Sequence, residues 1–257
     1  TLSCLTEICD AVVCVNDGST DKTMEILQSF PIVKKIHTNY PKNDRDIDEP
    51  RDWNKLVELA QSLSAKWIIF QDADEMLSPN FLRYKNSLMQ QNDFDVFQFR
   101  KITPWFRPDR YRVDMPRFNH PPEKVINPIM VRATTKLKWD NNRGSIFKKI
   151  LKKLIRGEAF KPNYGKVYPY GVKQKPYFPE KVISIHYNYF DFNRVLRKQI
   201  FYAIREREVR PDKKREDIIN FAANSLIKGN EKFETLSMDV HWEKFLNFIE
   251  RSKQLEK

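Results

Sequence analysis

Trp67-Ile68-Ile69-Phe70-Gln71-Asp72-Ala73-Asp74-Glu75 is a short apolar run that ends in three carboxylates. An apolar run of this length, bounded by polar residues, reads as a buried strand over Trp67–Gln71. Upstream, Asp10 to Val15 (DAVVCV) is a β-branched run of the same kind. It closes on Asn16-Asp17-Gly18-Ser19-Thr20-Asp21, a cluster of turn formers and helix caps. Between the two lie a helix over Lys22–Phe30, a strand over Val33–His37 and a polar loop over Asn39–Arg51. A second helix over Trp53–Ser64 follows, with Trp53, Leu56, Val57 and Ala60 at helical spacing. Strand, helix, strand, helix, strand predicts an α/β fold with a mainly parallel sheet. Such sheets bind ligands beyond the carboxyl ends of their strands, where both acidic clusters lie.

Further along, Ser78–Gln90 reads as a helix opened by Ser78-Pro79. Phe94–Arg100 alternates as a strand, and Ile102–Pro122 is irregular, rich in Pro, Arg and aromatics. Short strands are expected at Ile129–Val131, Lys136–Trp139 and Val182–His186. A Pro- and Tyr-rich loop covers Lys161–Pro179. From Phe192 the pattern is helical, broken near Pro211 and Gly229, and mixes both signs of charge.

The 257 residues fit one large domain or a domain with an appendage. Forty per cent hydrophobic content, with 18 Phe, 10 Tyr and 5 Trp, excludes a disordered chain. Six glycines exclude collagen-like sequence. No apolar run approaches the ~20 residues of a membrane span. Cys4, Cys9 and Cys14 are too few and too close together for a disulfide framework, which points to a reducing, cytoplasmic setting. The net charge of +12 implies an anionic partner: nucleic acid, a phospholipid surface or a phosphorylated small molecule.

Two carboxylates one residue apart at a strand end, Asp72 and Asp74, suit Mg²⁺ or Mn²⁺. The cation could bridge a diphosphate. The other reading is an acidic turn that caps the next helix. Glu75 is either a further acid near the metal or a cap of that helix. At the first cluster, Gly18 allows close backbone approach and Asp17 can accept hydrogen bonds from a base or ribose. An ordinary turn with Ser19 or Thr20 as the cap remains open there.

Taken together, the two clusters are specific. Asn16-Asp17-Gly18-Ser19-Thr20-Asp21-Lys22-Thr23, followed about 50 residues later by WIIFQDADE, resembles the nucleotide-sugar half of family 2 glycosyltransferases, which have the GT-A fold. Asn54 and Ala60 resemble that family's Arg-Asn-x-Gly-x-x-x-x-Ala helix, with Trp53 in place of the Arg and Leu56 in place of the Gly. The resemblance is strong over Asp10–Leu82. It implies a GT-A domain over residues 1–190, with a nucleotide-sugar half (1–100) and an acceptor half (101–190), and a helical C-terminal extension over 191–257. It also implies a first strand ahead of the helix ending near Ile8, which the chain does not include.

The implied activity is metal-dependent, inverting transfer of a sugar from a nucleoside-diphosphate donor to a glycan, lipid-linked or protein-linked hydroxyl acceptor. Asn16, Asp17, Gly18, Ser19, Asn54, Asp72 and Ala73 would bind the nucleotide sugar. Asp72, Asp74 and His186 would hold Mn²⁺ or Mg²⁺. His186 ends the strand VISIH and is followed by Tyr187, Tyr189 and Lys198, which resembles a late His-Tyr segment of the same relatives.

For the base that takes the acceptor's proton, the candidates are Asp140 and Asp114. Trp105, Asp109, Tyr111, Arg112 and Asp114 resemble a Trp…Tyr-Arg-x-Asp segment of bacterial and viral members. A loop whose Arg and Asp residues pair with one another is the alternative. The turn after Asp140, Asn141 to Ser145, has no His or Glu where many relatives carry the base. This leaves an inactive GT-A-like binding module open. A nucleic-acid-binding protein is disfavoured, since the strand-end loops carry carboxylates and no recognition motif is present. Ser145–Lys161, with six basic residues and one acidic, is a basic amphipathic helix candidate. Its two readings are a solvated surface helix and a peripheral contact with an anionic membrane.

Overall fold

A computed structural model of the chain describes residues 1–40, 48–114, 119–120, 130–134, 136–141, 167–170, 172, 182–209, 211–226 and 229–247. The candidate membrane helix at Ser145–Lys161 lies outside the described residues. In chain order the elements are α1 (Leu2–Ile8), β1 (Val12–Asn16), α2 (Thr23–Ser29), β2 (Val33–Thr38), α3 (Glu49–Gln61) and β3 (Trp67–Ile69). Next come β4 (Glu75–Leu77), α4 (Phe81–Gln90), β5 (Val96–Phe97), β6 (Arg100–Ile102), β7 (Arg110–Arg112) and β8 (Asn119–His120). Then β9 (Met130–Arg132), β10 (Lys138–Asn141), β11 (Val167–Tyr170) and β12 (Ile183–His186) follow. The chain closes with α5 (Phe192–Val209), α6 (Arg215–Leu226) and β13 (Phe233–Thr235).

The expected strand–helix–strand–helix–strand order is present from β1 to β3. Helix α3 starts earlier than its apolar periodicity suggests. Asp48 caps it by accepting the Arg51 amide at 3.1 Å, and Pro50 sits in its first turn. Its periodic residues Val57 and Ala60 pack with Ile68, Phe70, Val96, Val131 and Trp139, with Trp53 and Leu56 alongside. Trp53 stacks on Phe70 at 5.0 Å between centroids, and Trp139 closes on Phe70 at 4.4 Å. Each such aromatic pair contributes about 0.5–1.5 kcal/mol beyond the area it buries. This cluster fixes the end of β3, and with it the acidic turn that follows.

The expectation of a mainly parallel sheet is not carried by the strand pairings. Strands β1 and β2 are parallel, as are β12 and β6. The other six pairings among the described residues are antiparallel. What is present is an α/β fold with mixed pairing. Phe94–Arg100 is not one strand: β5 pairs with β9 at the edge of the β3–β9–β5 sheet, while β6 lies between β12 and β8. The stretch expected to be irregular contains β7 and β8, and the loop expected over Lys161–Pro179 contains β11.

The most consequential correction concerns Glu75. It does not cap a helix but opens β4, whose three residues are all buried. β4 runs antiparallel to β12, and His186 stands opposite Glu75 in register. Met76 and Leu77 pack with Ile8, Phe81, Ile183 and Ile185 in the larger core cluster. Burial of each such side chain stabilises the fold by about 1.5–3 kcal/mol.

The C-terminal residues include more than helix. β13 pairs with β7, and the Trp242 indole donates to the Leu77 carbonyl at 2.8 Å. No helix among the described residues is long and apolar enough to cross a membrane.

Candidate active site

The end of β1 is built from nearby residues. Asn16 is buried, and its Oδ1 accepts the Ser19 amide at 3.1 Å, which closes the turn. Gly18 takes φ 72°, a left-handed conformation that a side chain would strain. Asp21 accepts the Thr23 amide at 2.9 Å as α2 begins. Asp17 points out of this turn with its side chain 43% exposed. The Asn39 amide bridges it (3.1 Å) to Asp52 (2.8 Å), and the Arg51 guanidinium lies 3.6 Å from it. Asp17 is therefore an open carboxylate oriented by one amide and one distant cation.

The end of β3 is assembled from the far half of the chain. A tight turn brings the Glu75 amide to the Asp72 carbonyl at 3.0 Å, and the Ala73 carbonyl accepts the Thr1 hydroxyl at 2.6 Å. The Asp74 carbonyl accepts the Tyr187 amide at 2.7 Å, which ties the turn to the end of β12. The Asp74 side chain meets His186 and Lys198: His186 Nε2 lies 3.4 Å from Oδ1, and Lys198 Nζ lies 3.5 Å from Oδ2. Lys198, on α5, also donates to Asn188 Oδ1 at 3.0 Å. Glu75 is buried and paired with Lys101 of β6.

Asp72 keeps access to solvent, yet the protein crowds its carboxyl and pushes it up to about 6. Lost solvation is the main cause; the nearby Glu75 carboxylate adds to it and Lys101 opposes it.

The third predicted locus is β10. Asn54 does not point into open space. Its Nδ2 donates to the Trp139 carbonyl and its Oδ1 accepts the Trp139 amide, both at 2.8 Å. This two-point clamp joins α3 to β10 and fixes the backbone immediately before Asp140, which pairs with Tyr168 in β11.

At Asp114, the Arg–Asp pairing left open by the sequence is what the structure shows. Arg112 grips the carboxylate through Nε (2.9 Å) and Nη2 (2.6 Å), and both side chains are buried. Arg112 holds the Asp114 carboxyl below its ordinary value.

Residues 2–128 match the family described as Glycosyl transferase family 2. This part of the chain belongs to that family. The family 2 domain so matched contains both acidic strand ends, whereas β10, β12 and α5 lie beyond the matched residues. No curated protein compared with the chain matches it.

Family 2 enzymes commonly use a divalent cation, and here Asp72, Asp74 and His186 are the residues expected to hold it. Of these, Asp74 and His186 come together directly. Among the described residues, no three His, Cys, Asp or Glu side chains form a group that could hold a metal ion. The place beside Asp74 Oδ2 is taken by the Lys198 ammonium. The donor set as arranged does not fit the expected cation.

Sequence reasoning assigned no role to Asn188, Lys101, Asn39 or Arg51, which lie outside any motif. Lys198 stands out in the sequence only as part of the late His-Tyr segment, and the fold brings it to Asp74.

Proposed function

We propose that this family 2 glycosyltransferase moves a sugar from a nucleoside-diphosphate sugar to a hydroxyl acceptor with inversion at the anomeric carbon. The observation that carries this reading is the convergence of His186 and Lys198 on Asp74, at the end of the strand that closes the family 2 nucleotide half. The donor would span the two strand ends. Asn16, Gly18 and Ser19 shape the turn from which the open Asp17 carboxylate meets the base or ribose. Asp72 and Ala73 line the ribose side, and Asp74 marks the diphosphate side. Asn54 acts by holding β10.

The acceptor would enter from the half formed by residues 101–190. Its oxygen attacks the anomeric carbon and forms the new C–O bond. The bond from that carbon to the phosphate oxygen breaks, and its electron pair leaves with the nucleoside diphosphate. The acceptor's proton goes to a carboxylate, for which Asp140 is the better candidate. Asp114 is already bound to Arg112 on two sides and held below its ordinary pKa, which makes it a weak base. No step is assigned to Mn²⁺ or Mg²⁺, because the donor set does not fit it.

The test is a donor screen with UDP-, GDP-, CDP- and dTDP-sugars, in which binding is followed by calorimetry and product anomers by NMR. One nucleotide class should bind and give a product of inverted configuration. Binding without transfer to any hydroxyl acceptor would support a binding module instead. Absence of binding by all four classes would refute the donor site.

A further inference from the structure

We infer that Lys198 is the resident cation of the donor site, neutralising the diphosphate of the nucleotide sugar at Asp74 without a divalent ion. This rests on the reading of the β3 end as the donor site and adds the group that recognises the phosphates. That strand end holds three carboxylates, Asp72, Asp74 and Glu75, and two ammonium groups, Lys101 and Lys198. A diphosphate brought to carboxylates needs positive charge between them.

Lys101 is committed elsewhere. Its partner Glu75 is 5% exposed in its side chain, and the pair joins β6 to β4 across β12. Lys198 is placed differently. Its side chain is 30% exposed and that of Asp74 16%, so a ligand can reach both from solvent. Its contact with Asn188 at 3.0 Å is an ordinary hydrogen bond, while 3.5 Å to Asp74 is a loose ion pair. An ammonium has three N–H donors. One held by Asn188 and loosely attracted to Asp74 keeps capacity to donate to a phosphate oxygen. Asn188 and Asp74 aim it, and the Tyr202 ring centre lies 5.9 Å from Nζ.

A divalent cation at Asp74 would have to displace this ammonium, with His186 beside it as a second ligand. Lysine binds phosphate as a compact point charge. As the bond to the sugar breaks, negative charge grows on the leaving diphosphate, and a fixed ammonium stabilises it there without reorganisation.

The experiment measures binding of UDP, GDP, CDP and dTDP to the full chain by calorimetry, in EDTA and in excess Mn²⁺. Wild type, Lys198→Met and Lys198→Arg are compared, with melting curves confirming that each is folded. The wild type should bind one nucleotide class equally well in both conditions. In EDTA, Lys198→Met should weaken that binding by about tenfold or more, while Lys198→Arg keeps most of it. The inference is overturned if the wild type binds only with Mn²⁺, a result that needs no variant. It is also overturned if Lys198→Met binds like the wild type in EDTA, or if Lys198→Arg loses as much as Lys198→Met. Failure of every nucleotide to bind in either condition would instead remove the donor-site reading itself.

Discussion

The two acidic strand ends look alike in sequence and are built in opposite ways. At the end of β1, the partners that hold the turn and Asp17 among the described residues lie between Asn16 and Asp52. At the end of β3, the partners of Asp74 are His186 and Lys198, the latter 124 residues away. The first is an open polar turn whose carboxylate faces solvent. The second is a crowded junction of carboxylates, ammonium groups and an imidazole, where lost solvation pushes the Asp72 carboxyl up. Open charges in high dielectric interact weakly, and partly buried ones strongly. The β1 end is thus suited to orienting a ligand, and the β3 end to carrying the charge changes of a reaction.

The largest expected difference follows directly. Asp74→Asn should lower the turnover number for transfer by about 10²–10³-fold, the usual effect of removing one preorganised electrostatic group. Asp17→Asn should act mainly on KM, by about tenfold, as loss of one hydrogen-bonding carboxylate. Steady-state kinetics with the donor identified in the screen would separate the two. Equal effects on turnover would break the comparison, since both strand ends would then be catalytic in the same sense.

The same contrast explains what could be read from the chain. Strands β1 to β3, their intervening helices and the two acidic turns were legible because their signals are local. Apolar runs stop at turn formers, and Trp53, Leu56, Val57 and Ala60 recur at helical spacing. Strand β4 was not legible. Glu75-Met76-Leu77 is three residues long, and its identity as a strand comes from β12, more than 100 residues later. The direction of pairing was hidden for the same reason. A short apolar run carries no mark of whether its neighbour runs parallel or antiparallel. Asp72, Asp74 and His186 could be picked out by residue type. That Lys198, in sequence only a member of the late His-Tyr segment, would reach Asp74 could not, because the contact joins residues 124 apart. Asn54 shows the converse: its position matched a motif, and its amide turns out to clamp Trp139.

A middle-sized effect should come from what braces the β3 end. Tyr187 follows His186, and its hydroxyl donates to His241 Nδ1 at 2.8 Å. The other ring nitrogen of His241 donates to the Pro108 carbonyl at 2.9 Å, which places a proton on Nε2, and burial favours the neutral ring that accepts at Nδ1. His241→Ala removes both bonds and should destabilise the fold by about 1–3 kcal/mol in chemical denaturation. Burial holds the His241 pKa below its ordinary value of 6.5. The unfolded chain therefore takes up the proton more readily, and this contribution is complete above pH 6.5 and declines as the pH falls below it. The wild type should lose stability from pH 7 toward pH 5 more steeply than His241→Ala. Parallel pH profiles for the two would mean that His241 does not brace the junction as a neutral ring.

The smallest effect belongs to the β1 end and is the sharpest test of the contrast. Arg51 lies 3.6 Å from Asp17 and 2.8 Å from Asp52 across a half-exposed surface. Exposed pairs of this kind contribute about 0–1 kcal/mol, so Arg51→Gln should shift the unfolding free energy by no more than that. At 1 M salt the screening length shrinks to about 3 Å, and the difference between variant and wild type should vanish. The Lys198–Asp74 pair sits behind more protein, so salt should reduce the effect of Lys198→Met on nucleotide binding without abolishing it. If salt erased both effects equally, the β3 end would be as open electrostatically as the β1 end. Its carboxylates and ammonium groups would then be a solvated surface cluster, unable to hold charge in place through a transfer.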